Sequence, residues 1–280
     1  MRVAAIQMRS TTRPDDNVVA MRDMVAQAAA DGAQYVQTPE MTGLIQKDPK
    51  SLFSRISVQD RDPIFKEAAR LSAELKIWLH VGSTPIDLEN GKAANRSGLF
   101  SPQGTLTATY DKIHMFDVDL DDGECWRESA VYQPGSQCIV EEIYGAKLGF
   151  GICYDLRFPH LFRAQALNGA HILTVPAAFT RQTGEAHWHA LLRARAIENG
   201  AFVIASAQGG LHEDGRETYG HSLIIDPWGR IIAEKNDDGP GIIVANIDLE
   251  EAGAARQKIP NLANARHFDG MMDFMPKAAS

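Results

Sequence analysis

Cys153 ends a short apolar run, Lys147 to Ile152, and six residues later Pro159 stands where a helix would begin its first turn. A strand-to-helix corner of this kind lifts a side chain into a cleft, with the following backbone N–H groups facing whatever it attacks. A thiol at such a corner is a candidate nucleophile. The competing reading is a buried strand-end cysteine, the commoner fate of a free thiol taken alone. Two other segments supply the partners a thiol needs. Tyr35 to Gly43 carries Glu40 directly after Pro39, and Thr107 to His114 carries Lys112 at the end of a β-rich run. A glutamate, a lysine and a cysteine, each just past a strand, can meet at one edge of a sheet, where open α/β sheets place their ligands. Singly, Glu40 also reads as a helix cap and Lys112 as a solvated surface lysine.

In their order along the chain, Pro39-Glu40, Tyr110-Asp111-Lys112-Ile113-His114 and Gly151-Ile152-Cys153-Tyr154-Asp155 resemble the three triad segments of the nitrilase superfamily of carbon–nitrogen hydrolases. Glu128-Ser129 with Pro134-Gly135 resembles the segment that carries the additional active-site glutamate of that superfamily. Ala186 to Glu198 and Tyr219 to Gly229 are similar to its Nit branch. Within that branch, Leu192 to Glu198 and Ala205 to Gln208 are closer to amidases of deaminated glutathione than to omega-amidases. The resemblance implies an α/β fold, the α-β-β-α four-layer sandwich, in a single domain spanning residues 1–280. It also implies a homodimer built through the helical layers, with the helix Glu185 to Glu198 as one candidate face. The activity it implies is hydrolysis of the terminal amide of a small carboxylate-bearing substrate, with ammonia released and no cofactor. Omega-amidase action on α-ketoglutaramate or α-ketosuccinamate, and hydrolysis of N-carbamoyl amino acids, are the alternatives. A non-enzymatic interaction module is disfavoured by the intact Glu, Lys and Cys set.

In this reading Glu40 accepts the proton of Cys153, which attacks the carbonyl carbon. Lys112 and the backbone N–H of Tyr154 stabilise the oxyanion, and a thioester forms and is hydrolysed. Lys112 is also expected to favour the thiolate over the thiol, and Glu128 to orient Lys112 or the substrate amide. Arg157, four residues after Cys153, offers a planar fork to a substrate carboxylate, with ion pairing to Asp155 as its structural alternative. Phe179 reads equally as an apolar pocket wall or as core. No metal site is expected, because His187 and His189, two apart on a helix, point to different faces. A Cys–His pair using His114 or His160 is the weaker catalytic alternative. Cys125 reads as a packed or partly exposed thiol without chemistry.

Composition sets the frame. The 280 residues are 44% hydrophobic and 23% charged with a formal charge of −8, and no run of Lys and Arg marks a nucleic-acid surface. Cys125, Cys138 and Cys153 show no zinc spacing and cannot all pair, which favours a reducing compartment. The sequence shows no signal-peptide pattern and no apolar run of the ~20 residues needed to cross a bilayer, so a cytoplasmic protein is expected. Strands are expected at Val3 to Gln7, Tyr35 to Thr38, Ile77 to Ser83, Arg96 to Phe100, Leu106 to Tyr110, His171 to Val175 and Phe202 to Ser206. The end of the chain reads as His221 to Asp226, a turn, Ile231 to Glu234, and Gly241 to Ile247. Helices are expected at Pro14 to Ala30, Ile64 to Leu75, Pro159 to Asn168 and Glu185 to Glu198. Residues 112–134 read as a long irregular, functional segment. Residues 256–280 read as an extension packing on the domain or on a partner subunit.

Overall fold

Apolar residues along the first strand explain how the layers form. In β1 (Arg2–Gln7), Val3 and Ala5 enter one apolar cluster while Ala4 and Ile6 enter another. That is the two-residue period of a strand buried on both faces. The computed structural model describes residues 1–120 and 125–266. After β1 come α1 (Pro14–Ala30), β2 (Tyr35–Gln37), α2 (Pro49–Phe53), α3 (Pro63–Leu75), β3 (Trp78–Asp87), β4 (Ala93–Phe100) and β5 (Leu106–Asp111). A small ladder, β6 (Asp117–Asp119) with β7 (Cys125–Arg127), leads to β8 (Val140–Ile143), β9 (Ala146–Phe150), α4 (Pro159–Leu167), β10 (Ile172–Thr174), α5 (Arg181–Asn199) and β11 (Phe202–Ala205). The chain continues through β12 (Gly209–Leu211), β13 (Glu217–Tyr219), β14 (Leu223–Ile225), β15 (Ile231–Glu234), β16 (Gly241–Asn246) and α6 (Glu250–Lys258).

The strands form two six-stranded sheets, β16-β1-β2-β3-β4-β5 and β15-β14-β11-β10-β9-β8. Between them lies a shared core in which Val3, Tyr35, Leu99 and Tyr110 of the first sheet join Leu148, Phe150 and Ile224 of the second. Met21 and Val25 of α1 and Phe65, Ala68 and Leu71 of α3 cover the outer face of the first sheet. Phe162 of α4 and Trp188 and Leu192 of α5 cover the second. The architecture is the four-layer α-β-β-α sandwich. Helices α1 to α4 each begin with a proline, whose missing N–H has no partner to lose there. Asp48 and Asp62 cap α2 and α3 by accepting from Ser51 N at 2.8 Å and Phe65 N at 2.9 Å.

Several elements differ from the sequence reading for visible reasons. Residues 112–134 are not uniformly irregular, since β6, β7 and a 3-10 turn at Glu128–Ala130 lie within them; residues 121–124 fall outside the described residues. Helix α5 begins four residues earlier than Glu185, through Gly184. A Cβ at Gly184 would stand 2.3 Å from that of Tyr219, so glycine permits the close approach despite its poor helix propensity. The strand expected from His221 starts only at Leu223, because His221 has a φ of 55°. The tail begins as the end of α6. Arg256 reaches Asn199 O and Ala170 O, and Asn261 Nδ2 donates to Glu198 O at 2.6 Å. The described part of the tail therefore packs on the chain's own second sheet layer, and residues 267–280 of that extension lie outside the described residues. Among the described residues, no helix is long and apolar enough to cross a membrane.

Candidate active site

Glu40 follows β2 and is 3% exposed. The turn that carries it is pressed against β3: a Cβ at Gly82 would sit 2.1 Å from Thr38 O and 2.6 Å from Pro39 O. From the other sheet, Gln208 Nε2 donates to Glu40 O at 3.0 Å. Lys112 follows β5, with its backbone held between Asn95 O at 3.0 Å and the N–H of Gly135 at 2.8 Å. A Cβ at Gly135 would meet Asp111 O at 2.2 Å, which explains a glycine at that point. The Lys112 Nζ donates to Glu40 Oε1 at 2.9 Å and to both oxygens of Glu128 at 3.0 and 2.9 Å. Asn95 Nδ2 bridges the two carboxylates, at 2.9 Å to Glu40 and 3.2 Å to Glu128. Phe116 N donates to Glu128 Oε2 at 2.7 Å and Ala178 N to Glu40 Oε2 at 2.8 Å.

Cys153 opens a 3-10 turn, Cys153–Arg157, directly after β9 and Gly151-Ile152. Its φ of +49° is left-handed, a strained setting for a residue with a Cβ. Its N–H donates to Pro176 O at 2.9 Å, so the segment after β10 holds the corner in place. Asp155 is fully buried and accepts from Tyr110 Oη at 2.6 Å, Ile152 N at 2.9 Å and His114 N at 3.1 Å. It thereby ties the Tyr110-to-His114 segment of one sheet to the cysteine corner of the other. It is not the partner of Arg157.

Burial decides little here on its own. It opposes ionisation of Glu40, but the Lys112 charge and hydrogen bonds from Cys153, Lys112 and Asn95 hold the carboxyl below its ordinary value. Burial likewise opposes the charge on Lys112, and Glu128 and Glu40 outweigh it, raising Lys112 well above its usual value. Burial and the Glu40 charge push Cys153 well above an ordinary thiol, against the pull of Lys112. The resting set is thus a thiol hydrogen-bonded to a carboxylate beside an ammonium. The expectation that Lys112 would favour the thiolate is corrected: its pull is present, but burial and the Glu40 charge outweigh it.

These groups line a cavity of about 400 Å³. Arg157, Phe179 and Tyr154 also line it, and Arg157 lies 5.5 Å over the Phe179 ring and 3.3 Å from His187 Nδ1. Phe179 is at once wall and core, packing 4.9 Å from Trp188. Lys47 and Arg216, which the sequence did not single out, line the cavity and lie 5.4 and 4.5 Å from the Trp126 ring centre; Arg127 and the exposed Cys125 line it too. His114 stacks on Phe158 at 3.5 Å, and neither it nor His160 lines the cavity. Asn95, Asp155 and the Ala178 N–H were also missed. Asp155 lies within a motif segment and Asn95 just before an expected strand, but a hydrogen-bond role has no sequence signal of its own.

Residues 2–257 match the carbon-nitrogen hydrolase family model. The deaminated glutathione amidase of Yersinia enterocolitica is 39% identical over 274 residues, covering 96% of this chain and 94% of that protein. The C. elegans NitFhit protein superposes with a TM-score of 0.86 at 31% identity over 95% of this chain, which spans 65% of the length of NitFhit. A variant of the amidase from Nesterenkonia, with the acetamide moiety of fluoroacetamide added covalently at its active-site cysteine, superposes with a TM-score of 0.80 at 26% identity, covering 95% of this chain and 94% of that one. The match runs the length of both sheets and through every segment that builds the cavity, so the chain belongs to the carbon-nitrogen hydrolase family of the nitrilase superfamily and hydrolyses carbon–nitrogen bonds other than peptide bonds.

Proposed function

We propose that the chain is an amidase that removes the terminal amide of deaminated glutathione through a thioester on Cys153. The observation that carries the chemistry is the ionised Glu40, bonded at once to the Cys153 thiol and to Lys112. Glu40 takes the thiol proton as sulfur attacks the amide carbon. The oxyanion is met by the Tyr154 N–H and by Lys112, which exchanges one of its two Glu128 contacts for it. Glu40 returns the proton to the departing ammonia, then takes one from the water that cleaves the thioester to the acid. Glu128 keeps Lys112 charged and aimed throughout. No cofactor takes part.

The substrate assignment rests on the cations that line the cavity away from the thiol, Lys47, Arg157 and Arg216, and on the activity named for the Yersinia relative. Arg157 has no carboxylate partner among the described residues, and its fork suits a distal substrate carboxylate. Phe179 forms the apolar wall beside it. We place the protein in the cytoplasm, as a homodimer whose protomers are each one domain over residues 1–280. Light scattering at micromolar concentration that returns the mass of a single chain would overturn the dimer.

The test is ammonia release from deaminated glutathione, α-ketoglutaramate, an N-carbamoyl amino acid and a nitrile, with mass spectrometry of the quenched enzyme. Deaminated glutathione is expected to give the highest kcat/KM, with an acyl adduct on the Cys153 peptide. Cys153→Ala should abolish turnover while the fold persists. Equal turnover of the nitrile would overturn the substrate assignment, and full activity in Cys153→Ala would overturn the mechanism.

A further inference from the structure

A second group of ligating side chains lies outside the cavity. His189 projects from α5, His221 lies two residues before β14, and Glu234 ends β15, the edge strand of the second sheet. His189 Nε2 is 2.9 Å from Glu234 Oε1, and His221 Nδ1 is 3.6 Å from the same oxygen. One ligand atom from each of the three side chains lies within 4.8 Å of the others. A tetrahedral ion ~2.0–2.2 Å from each ligand sets its ligands roughly 3.3–3.5 Å apart, so small side-chain adjustments bring all three onto one centre.

His221 is built into its place in this group. The His221 Nδ1 is buried and has no hydrogen-bond partner, although it faces the carboxylate. Its ring stacks on Tyr219 at 4.2 Å, and its carbonyl accepts from Trp188 Nε1 at 2.8 Å. Its backbone is held at a φ of 55°, a setting a side chain rarely adopts without a cause. The side chains of His189, His221 and Glu234 are 32%, 21% and 24% exposed, which leaves an entry path for an ion. Reading His187 and His189 along the helix gives no metal site, and they do diverge, His187 toward Arg157 and His189 toward Glu234. The ligand set arises only when β14 and β15 fold beside α5.

We propose that His189, His221 and Glu234 bind one divalent ion of the zinc type. Two neutral imidazoles and a carboxylate form a donor set suited to zinc, with a further position left for water. The ion would take the place of the direct contact between His189 and Glu234. It would also clamp α5 to the edge of the second sheet, two residues from His187 and one from Trp188, which backs the cavity wall.

The test uses full-length protein stripped with a chelator, titrated with Zn²⁺ alone in a calorimeter and followed by its unfolding temperature. Cys153→Ala is titrated in parallel, because the buried thiol is the rival ligand. Wild type and Cys153→Ala are expected to bind one equivalent per chain and to gain unfolding temperature. His189→Gln, Glu234→Gln and His221→Asn, the last chosen because asparagine tolerates the left-handed backbone, should each weaken binding by about tenfold or more. Metal-free unfolding temperatures near wild type in the two Gln variants show that the fold is kept. Zinc binding that disappears in Cys153→Ala, that is unchanged in all three ligand variants, or that is absent up to millimolar Zn²⁺ overturns the proposal.

Discussion

Lys112 and His80 are equally cut off from water, at 2% and 0% exposed, yet they hold opposite charge states. Lys112 stays an ammonium because two carboxylates receive it. His80 lies between Tyr35 Oη and Ser97 Oγ, each 2.7 Å from a ring nitrogen, and against the Phe150 ring at 4.7 Å. With hydroxyls in place of carboxylates, burial lowers its pKa from 6.5 to about 3, and it stays neutral. Burial sets how much is at stake in this fold, and the charge of the partner decides which form survives.

The sharpest way to break that contrast is to remove the cation. Lys112→Met leaves Glu40 and Glu128 facing each other in the interior. Denaturant unfolding should show a loss of about 3–5 kcal/mol, and ammonia release should fall by a factor of about 10²–10³ or more. Glu40→Gln keeps the Lys112–Glu128 pair. It should lose turnover to a similar degree while remaining far closer to wild-type stability. If the two variants lose the same stability, the charges are not compensating one another as described.

The neutral site responds to acid. Folded His80 refuses a proton that the unfolded chain takes at its ordinary pKa, so its contribution is intact above pH 6.5 and declines as pH falls toward about 3. At its limit the shift corresponds to a loss on the order of 5 kcal/mol. Urea midpoints at pH 7, 5.5 and 4 should fall more steeply for wild type than for His80→Gln; parallel slopes would remove His80 from the account.

Arg157 represents a third condition, a half-buried charge with no carboxylate partner among the described residues. Arg157→Ala should raise KM for carboxylate-bearing amides about 10- to 100-fold, equivalent to about 1.5–3 kcal/mol for a hydrogen bond to a charged group, and leave a small neutral amide unaffected. Equal losses on both substrates would mean that Arg157 shapes the wall rather than anchors the substrate. The smallest effect belongs to Asp62, a buried acid whose pKa burial raises from 3.8 to about 6 against the hydrogen bonds of the Phe65 and Ile64 N–H groups and the Lys66 charge. Its stabilising form is the protonated one, present below pH 3.8 and lost as pH rises through about 6. Asp62→Asn keeps the helix cap and should gain about 1–2 kcal/mol at pH 8, with no gain at pH 3.5. A destabilised variant at pH 8 would reverse the sign argued here.

Much of this was legible in the sequence because strand ends leave marks. Pro39-Glu40, Asp111-Lys112 and Ile152-Cys153 each end an apolar run, and prolines 14, 63 and 159 mark helix starts to within a residue or two. The carboxylate–lysine contacts themselves have no local signature, because Glu40 and Lys112 are brought together only by the sheet order. Asn95 was invisible for the same reason, sitting in a run of small residues, Ala93-Ala94-Asn95, that lacks the bulk by which strands are recognised. Gly184 concealed the first turn of α5, and the φ of His221 concealed the start of β14. In each case a tertiary contact overrode the local preference.

One hydrogen bond ties the two halves of the site together. The Ala178 N–H that steadies Glu40 belongs to the second sheet, 138 residues along the chain, while Glu40 belongs to the first. Contacts of such sequence separation form late, after each local unit has paid its own ordering entropy. Neither layer is active alone, because Glu40 and Lys112 follow strands of the first sheet and Cys153 follows a strand of the second. Recovery of catalysis during refolding therefore times the docking of the two halves, and in a stopped-flow experiment it should lag behind the return of helical signal.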